Sequence, residues 1–581
     1  MQKNKEKLDY KIGLLMAYTV AIFAGLIYVY QNTVVRIFFA IIMAVFLFFV
    51  IKSYKKRWLS NYKKYVLFLL TLFLLCCLAD CDVFPSVSRI LDPRGQIGGG
   101  EEAYKSNGQF WGEKIFYVGV ILFILYLSIV FWHNELRGLN IKAFFLYTSI
   151  PFLIMIFLLM PHGACPDSQS HIFTTYRYSN ILLGFSEEEE WYGRADDVEY
   201  LSFLNHENNE NVNPSRNSIA WALDNWWSGI EDDSLKELHV KPEHMTYYSI
   251  FCYLPQILGI SVARLLGLSS AMTFGLGRIF MGIIYVLGCY RAICKAPRYK
   301  SIFAFVALIP ESLTLGISYS YDAMLIVVSL NFLAGVLQLS NGIENKRALA
   351  EQLVWSFMLG AVKAGAYLLL LPMVFVITHK SKKRRWIVIS SIVGMAILSV
   401  VLFDLALPSD RLFQLGGQDT SCYSAVFALQ HPFSYVRMLL MTYLRKTDMI
   451  FWSGLGDHIG WWEDNIPHIY LGMMAILWFI LIRRQNDTEI CAGILRICSL
   501  ISVILVLVIS PAMLLSYTSS TASLIEGLQG RYYIPMIVPL LLLLQYKKTN
   551  GYGREKTSIF YGLSFLYVIC IYYMMGFYLG R

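Results

Sequence analysis

Three places where apolar runs meet polar loops carry the side chains of this chain most able to do chemistry. The first reads Pro161-His162-Gly163-Ala164-Cys165-Pro166-Asp167-Ser168-Gln169-Ser170-His171, directly after an apolar stretch. If the chain turns helical at Asp167, that carboxylate and the His171 imidazole share a face, because residues four apart on a helix are neighbours. Two readings are open: a catalytic carboxylate, or an N-cap, which an Asp between Pro and a helix commonly is. The second place, Pro310-Glu311-Ser312 through Ser318-Tyr319-Ser320-Tyr321-Asp322, is an apolar run that ends in a tight polar hairpin. Asp322 is equally suited to capping the next helix and to function, whereas Glu311 has no structural excuse beyond pairing with Arg278 or Lys363. The third, Glu526-Gly527-Leu528-Gln529-Gly530-Arg531-Tyr532, sets an arginine at the mouth of an apolar run. Arg531 is either an anchor to lipid headgroups or a binder of phosphate, for which the guanidinium fork is suited.

The elements that position these groups cross a membrane. Of 581 residues, 56% are hydrophobic and only 15% are charged, and the apolar residues come in long runs. That excludes a soluble chain and predicts an all-α polytopic membrane protein, a helical bundle of about 13–15 spans. Ile12 to Tyr30 is long enough to cross and lacks a small-residue cleavage site, so it reads as a retained span. The cysteines fall mostly in apolar runs and behave as small hydrophobes; a Cys165–Cys422 disulfide is conceivable on sidedness alone.

Lys and Arg mark the cytoplasmic side of a membrane protein. The basic connections Lys52–Lys64, Arg291–Lys300, Lys380–Arg385 and Lys547–Lys556 therefore place the N-terminus inside. With spans near 12–30, 34–51, 65–82, 115–132 and 142–160, the long polar stretch 161–246 lies outside. It holds 16 acidic residues against five Lys or Arg, and the runs Glu187–Glu190 and Asp232-Asp233 read as a solvated face. Residues 247–269 read as an interfacial helix with Arg264 at the headgroups, and Met272 to Tyr290 as the next crossing. Further spans are expected near 301–317, 323–340, 386–404, 468–482, 493–517, 532–546 and 558–579. Leu353 to Ile377, with Lys363, Gly360 and Gly365 inside it, reads as a broken or re-entrant hairpin. Residues 1–140 thus form an N-terminal extension of four spans, 141–546 a core with a second outer loop at 405–467, and 547–581 a basic loop and last helix. The four polar segments 161–246, 318–322, 405–467 and 518–531 share the outer face.

These motifs, in this order, resemble the DUF2142 family of bacterial membrane proteins, grouped with the GT-C glycosyltransferases. The family pattern is matched by Pro166-Asp167 with His171, by Ser318-Tyr319-Ser320-Tyr321-Asp322, by Lys363, by Gly460-Trp461-Trp462-Glu463-Asp464-Asn465-Ile466-Pro467 and by Gln529-Gly530-Arg531-Tyr532. The resemblance covers about residues 142–546; Ser168 stands where the family pattern has Glu, which removes a second carboxylate there.

The resemblance implies a GT-C-like inverting glycosyltransferase that moves a sugar from a polyprenyl-phosphate-linked donor to an envelope glycan at the outer face of the cell membrane. Asp167 would be the catalytic base, and Arg531 would pair with the departing lipid phosphate. Gln529, His171, Asp322, Lys363 and Arg278 would contact the donor or hold the site. No cofactor is expected, no metal is indicated because the outer loops lack an Asp-x-Asp pair, and the partners are the lipid-linked donor, the glycan acceptor and the bilayer, not nucleic acid. Sugar-stacking platforms are sought among Trp191, Trp226, Trp227, Trp461 and Trp462. A flippase or transporter of a lipid-linked sugar, a polysaccharide polymerase, and a non-catalytic scaffold are the competing readings.

Overall fold

A computed structural model of the chain describes residues 140–204 (apart from Pro161, Ala164 and Pro166), 226, 230–238, 248–340, 346–405, 423, 427–458, 466–483, 492–514, 518–519, 521–544 and most of 559–574. The four spans expected before residue 140, Cys422, Trp227, Trp461, Trp462 and the basic loop 547–556 lie outside these residues.

Helix dominates because the chain is rich in long apolar runs and lipid offers the backbone no partner except itself. Four helices among the described residues are long and apolar enough to cross a membrane: α1 (Ile141–Leu159), α5 (Ser270–Lys295), α8 (Asp322–Leu339) and α10 (Lys382–Val400). The protein is an all-α membrane protein. Its centre is α8, which is apolar on every side and almost wholly buried, as a helix surrounded by other helices must be.

The expected crossing at 301–317 is not one helix. It breaks at Ile309-Pro310 into α6 (Lys300–Leu308) and α7 (Pro310–Gly316), because proline removes a backbone donor and disfavours a helical residue before it. Glu311 sits in the first turn after the break.

Around Leu353 to Ile377 the chain makes a full hairpin. Its first arm, α9 (Lys346–Ala361), starts earlier than the sequence suggested; its second is a 3-10 segment, Val362–Val376, about 30 Å long at about 2 Å per residue. Lys363 at the apex lies 3.5 Å from Asp322 at the start of α8, and Thr378 beyond the far end donates to the Ser340 carbonyl after α8. The second arm therefore runs the length of α8. At that far end Glu351 of α9 pairs with Arg291 and Lys295 of α5, and Arg385 donates to the Ile377 carbonyl.

The polar segment after α1 folds as α2 (Ser168–Leu183), the short antiparallel pair β1 (Tyr192–Arg194) and β2 (Leu235–Glu237), and α3 (Ala195–Leu204). Asp232 and Asp233 are exposed as expected, but Asp197 is not part of a solvated face. It is fully buried and accepts from Arg194, Tyr176 and Ser270, so its charge is both paired and hydrogen-bonded. Arg264 also departs from expectation: its guanidinium lies over the Tyr176 ring at 4.4 Å and donates to Ser179, which ties α4 (Leu254–Leu265) to the polar segment. At 12 residues α4 is too short to cross alone, and it leaves Leu258, Val262 and Leu265 exposed.

Within 405–467, read as a loop, stands a 24-residue helix, α11 (Pro432–Leu455). Its signals were present: proline at the first helical position and Gly456, in left-handed conformation, just past the last. Later come α12 (His468–Arg483), α13 (Ala492–Leu514) and α14 (Ile534–Leu543). Cys165 is a buried free thiol.

Candidate functional site

Asp167 occupies the N-cap position of α2 yet makes no side-chain cap bond. Its backbone is left-handed, with φ 59°, a conformation costly to any residue with a Cβ. The carboxylate instead accepts from Arg531 Nη2 at 2.5 Å. The capping reading therefore fails for this side chain. Burial pushes the Asp167 carboxyl up, but the Arg531 guanidinium, with Lys363, more than offsets this and holds it below the usual carboxylate range.

The serines of Ser318-Tyr319-Ser320-Tyr321-Asp322 shape the turn that leads into α8 and the second carboxylate. Ser318 Oγ accepts from the Ser320 amide and Ser320 Oγ accepts from the Asp322 amide, local bonds that serine makes readily. Asp322 itself is the first helical residue of α8, whose N-cap is Tyr321, and its carboxylate turns to cations. Its side chain, 2% exposed, lies with one oxygen 3.5 Å from Lys363 Nζ and the other 3.4 Å from Arg531 Nε.

Lys363 shares the left-handed conformation of Asp167, at φ 52°. Among the described residues only Asp167, Tyr299 and Lys363 adopt it without being glycine, so two of these three strained positions belong to one site, as strain at functional sites leads one to expect. The ammonium stands over the rings of Tyr532 at 4.1 Å and Tyr321 at 4.6 Å. Tyr367 donates to the Tyr532 carbonyl at 2.6 Å, which ties the hairpin apex to the turn that carries Arg531.

That turn is a 3-10 helix, Gly530–Tyr533. A Cβ at Gly530 would collide with the Gly454 amide and the Ile450 carbonyl of α11, so the glycine of the Gln-Gly-Arg-Tyr motif is what lets α11 lie against the turn. Arg531 is 2% exposed on its side chain; among the described residues its Nη1 has no hydrogen-bond partner, and its Nε meets Asp322 as an ion pair at 3.4 Å without a hydrogen bond. The four charges Asp167, Asp322, Arg531 and Lys363 sum to zero.

His171, one turn after Asp167, is buried and bonded through Nδ1 to the Tyr253 hydroxyl at 2.8 Å. Burial, with Arg531 adding to it, lowers its pKa to about 4; the imidazole is neutral near pH 7 and supports the site as a hydrogen-bonding group, not a cation. Arg278 is spent on backbone carbonyls, of Met160 at 2.6 Å and Ile317 at 2.8 Å, and so holds the ends of α1 and α7 together. Gln529 is half-buried next to Arg531, and its carbonyl accepts from the Tyr532 amide.

Two groups outside that set lie close by. Glu311 is buried within electrostatic reach of Arg531, Asp322 and Asp457, and among the described residues it forms no ion pair with Arg278 or Lys363, whose partners are carbonyls and Asp322. Gly456, left-handed at φ 91°, lets the end of α11 press on the Pro310-Glu311 backbone. Asp457, which follows it, binds His458 Nδ1 at 2.5 Å and His468 Nε2 at 3.0 Å. The only sequence signal for this pair was an Asp-His after a helix-stopping glycine, in a stretch where α11 itself went unread. Of the tryptophans, Trp226 packs edge-on against Phe157 and Trp191 lies under Arg177; the described rings packed on Lys363 are tyrosines.

Comparison with protein families gives one match, a family described as a predicted membrane protein (DUF2142), over residues 151–541. The match covers more than half of the chain, which therefore belongs to that family. Neither a curated protein nor a solved structure matches it.

Proposed function

From this family membership and the paired charges at Arg531, we propose that the protein is a GT-C-type glycosyltransferase that uses a lipid-phosphate-linked sugar. The observation that carries the reading is the meeting of Asp167 with Arg531, a base and a phosphate-binding cation, within one hydrogen bond. In the proposed step the oxygen of an acceptor hydroxyl bonds to the anomeric carbon and its proton passes to Asp167. The bond from that carbon to the phosphate oxygen breaks, and the electron pair leaves with the phosphate, whose charge Arg531 and Lys363 pair with. A single displacement inverts the anomeric carbon. Asp322 keeps the two cations side by side.

The orientation that goes with this reading follows from charge. Arg291, Lys295 and Arg385 lie at the end of the bundle opposite Asp322, which supports placing that end in the cytoplasm and the site on the outer face, with an envelope glycan or glycopolymer as acceptor. A second reading, a transporter of the lipid-linked sugar, is favoured by the break at Pro310 and by the hairpin with Lys363 at its apex, since interrupted helices mark transporter sites.

Mass spectrometry of envelope glycans from cells with the native protein, a deletion, or Asp167→Asn at matched abundance separates these. Loss of the same sugar in both altered strains is expected. Loss in the deletion alone would remove Asp167 as base and favour the transporter.

A further inference from the structure

Arg531 holds its two carboxylates unequally. The Asp322 side chain is 2% exposed and also faces Lys363, whereas the Asp167 side chain is 55% exposed and its single described ion-pair partner is Arg531. Asp167 also does not cap its own helix. Among the described residues Arg531 Nη2 is the hydrogen-bond partner of this carboxylate, and a side-chain rotation would release it to solvent. On the other edge of the same guanidinium, Nη1 is buried without a hydrogen-bond partner among the described residues. Nη1 and Nη2 together are the fork that an oxyanion takes with two parallel bonds.

We propose that Asp322 is the permanent partner of Arg531 and Asp167 an exchangeable one, displaced from Nη2 when a phosphate oxyanion seats on the Nη1/Nη2 fork. The inference rests on the transferase reading and adds an order of events to it. An Asp167 locked to Arg531 is a poor base; once the phosphate takes its place, the carboxylate is free to accept a proton. The donor then arms the base, and donor binding precedes productive acceptor binding. Lys363 Nζ, at the other side of Asp322, supplies a second positive charge to the incoming oxyanion. No covalent bond changes in the exchange; one anion replaces another on Arg531.

The exchange predicts competition. With the full chain in detergent, binding of farnesyl phosphate and of inorganic phosphate is measured by calorimetry for wild type and for Asp167→Asn. Removal of the competing charge should tighten farnesyl phosphate binding about fivefold or more, and Arg531→Gln should abolish it. A second measurement needs no variant: carbodiimide labelling of Asp167, read by peptide mass spectrometry, should rise when farnesyl phosphate is added to the native protein. Equal or weaker binding by Asp167→Asn, or labelling that stays level or falls, overturns the exchange. The transferase reading survives that failure, because its test is the glycan profile. Conversely, if inorganic phosphate binds as tightly as farnesyl phosphate while Asp167→Asn tightens both, the exchange stands and the lipid-linked donor falls.

Discussion

Asp167 and Arg531 stand 364 positions apart in the chain and share a hydrogen bond of 2.5 Å, one at the start of a polar segment, the other in the 3-10 turn that precedes α14. This bond joins opposite ends of the family-matched region. Replacing Arg531 tests what that junction does. Arg531→Gln leaves Asp322 buried beside Lys363 alone, and breaking a buried pair costs about 3–5 kcal/mol, so the thermal midpoint in detergent should drop. Arg531→Lys keeps the charge but cannot reach Asp167 and Asp322 together. It should recover most of the stability and little of the glycan product.

Lys363 separates strain from function. A glycine accepts φ 52° without the steric cost that a side chain incurs, about 1–2 kcal/mol. Lys363→Gly should therefore be at least as stable as Lys363→Ala in thermal unfolding, although both lose the ammonium and should lose glycan product equally. A variant pair in which Ala is the more stable would show that the left-handed backbone is not held at this residue.

His171 predicts a pH dependence of stability. Its folded pKa, about 4, lies below the ordinary value of 6.5, so the folded state binds this proton less readily than the unfolded state. The stabilisation is therefore complete above pH 6.5 and is lost as pH falls from there towards 4, by an amount of the order of 3 kcal/mol. Thermal midpoints between pH 7.5 and 4.5 should fall in the native protein. In His171→Gln, which cannot titrate, the slope over that interval should be smaller.

Gly530 tests packing without touching a charge. Gly530→Ala must push α11 off the Arg531 turn, because the added carbon has backbone on its far side and no flexible side chain to displace. Overpacking of this kind costs about 1–3 kcal/mol. Limited proteolysis should cut the region 432–458 faster in this variant, and glycan product should fall with Asp167, Asp322 and Lys363 all intact.

Much of the site was visible in residue type and order. Asp167, Asp322, Lys363 and Arg531 stood out because charges are few in an apolar chain, and the structure brings these four together. Their roles relative to one another were not visible. The sequence made capping a fair reading for both Asp167 and Asp322; the structure removes it, in the first case because the carboxylate makes no cap bond and pairs with Arg531, and in the second because Asp322 is already the first helical residue, after Tyr321 at the cap. Arg278, read as contacting the donor or holding the site, donates to the carbonyls of Met160 and Ile317, a pairing across separate helices that local pattern does not encode. The helix α11 was missed because its charges, Arg437, Arg445, Lys446 and Asp448, disguise it as loop.

The sequence by itself determined that the chain crosses a membrane and that its polar residues gather in a few segments between spans, properties that follow from apolar content and period, which are local. The sidedness of the basic loops gave the reading of 247–269 as interfacial, and the structure shows there a helix of 12 residues. Only the tertiary structure decided that Pro310 breaks a crossing, that the hairpin read at Leu353 to Ile377 has an arm running the length of α8, and that Arg531 lies between two carboxylates. Each depends on which distant segments are in contact. That is set by the packing of helices against one another, where a buried charge must find its partner wherever in the chain that partner lies.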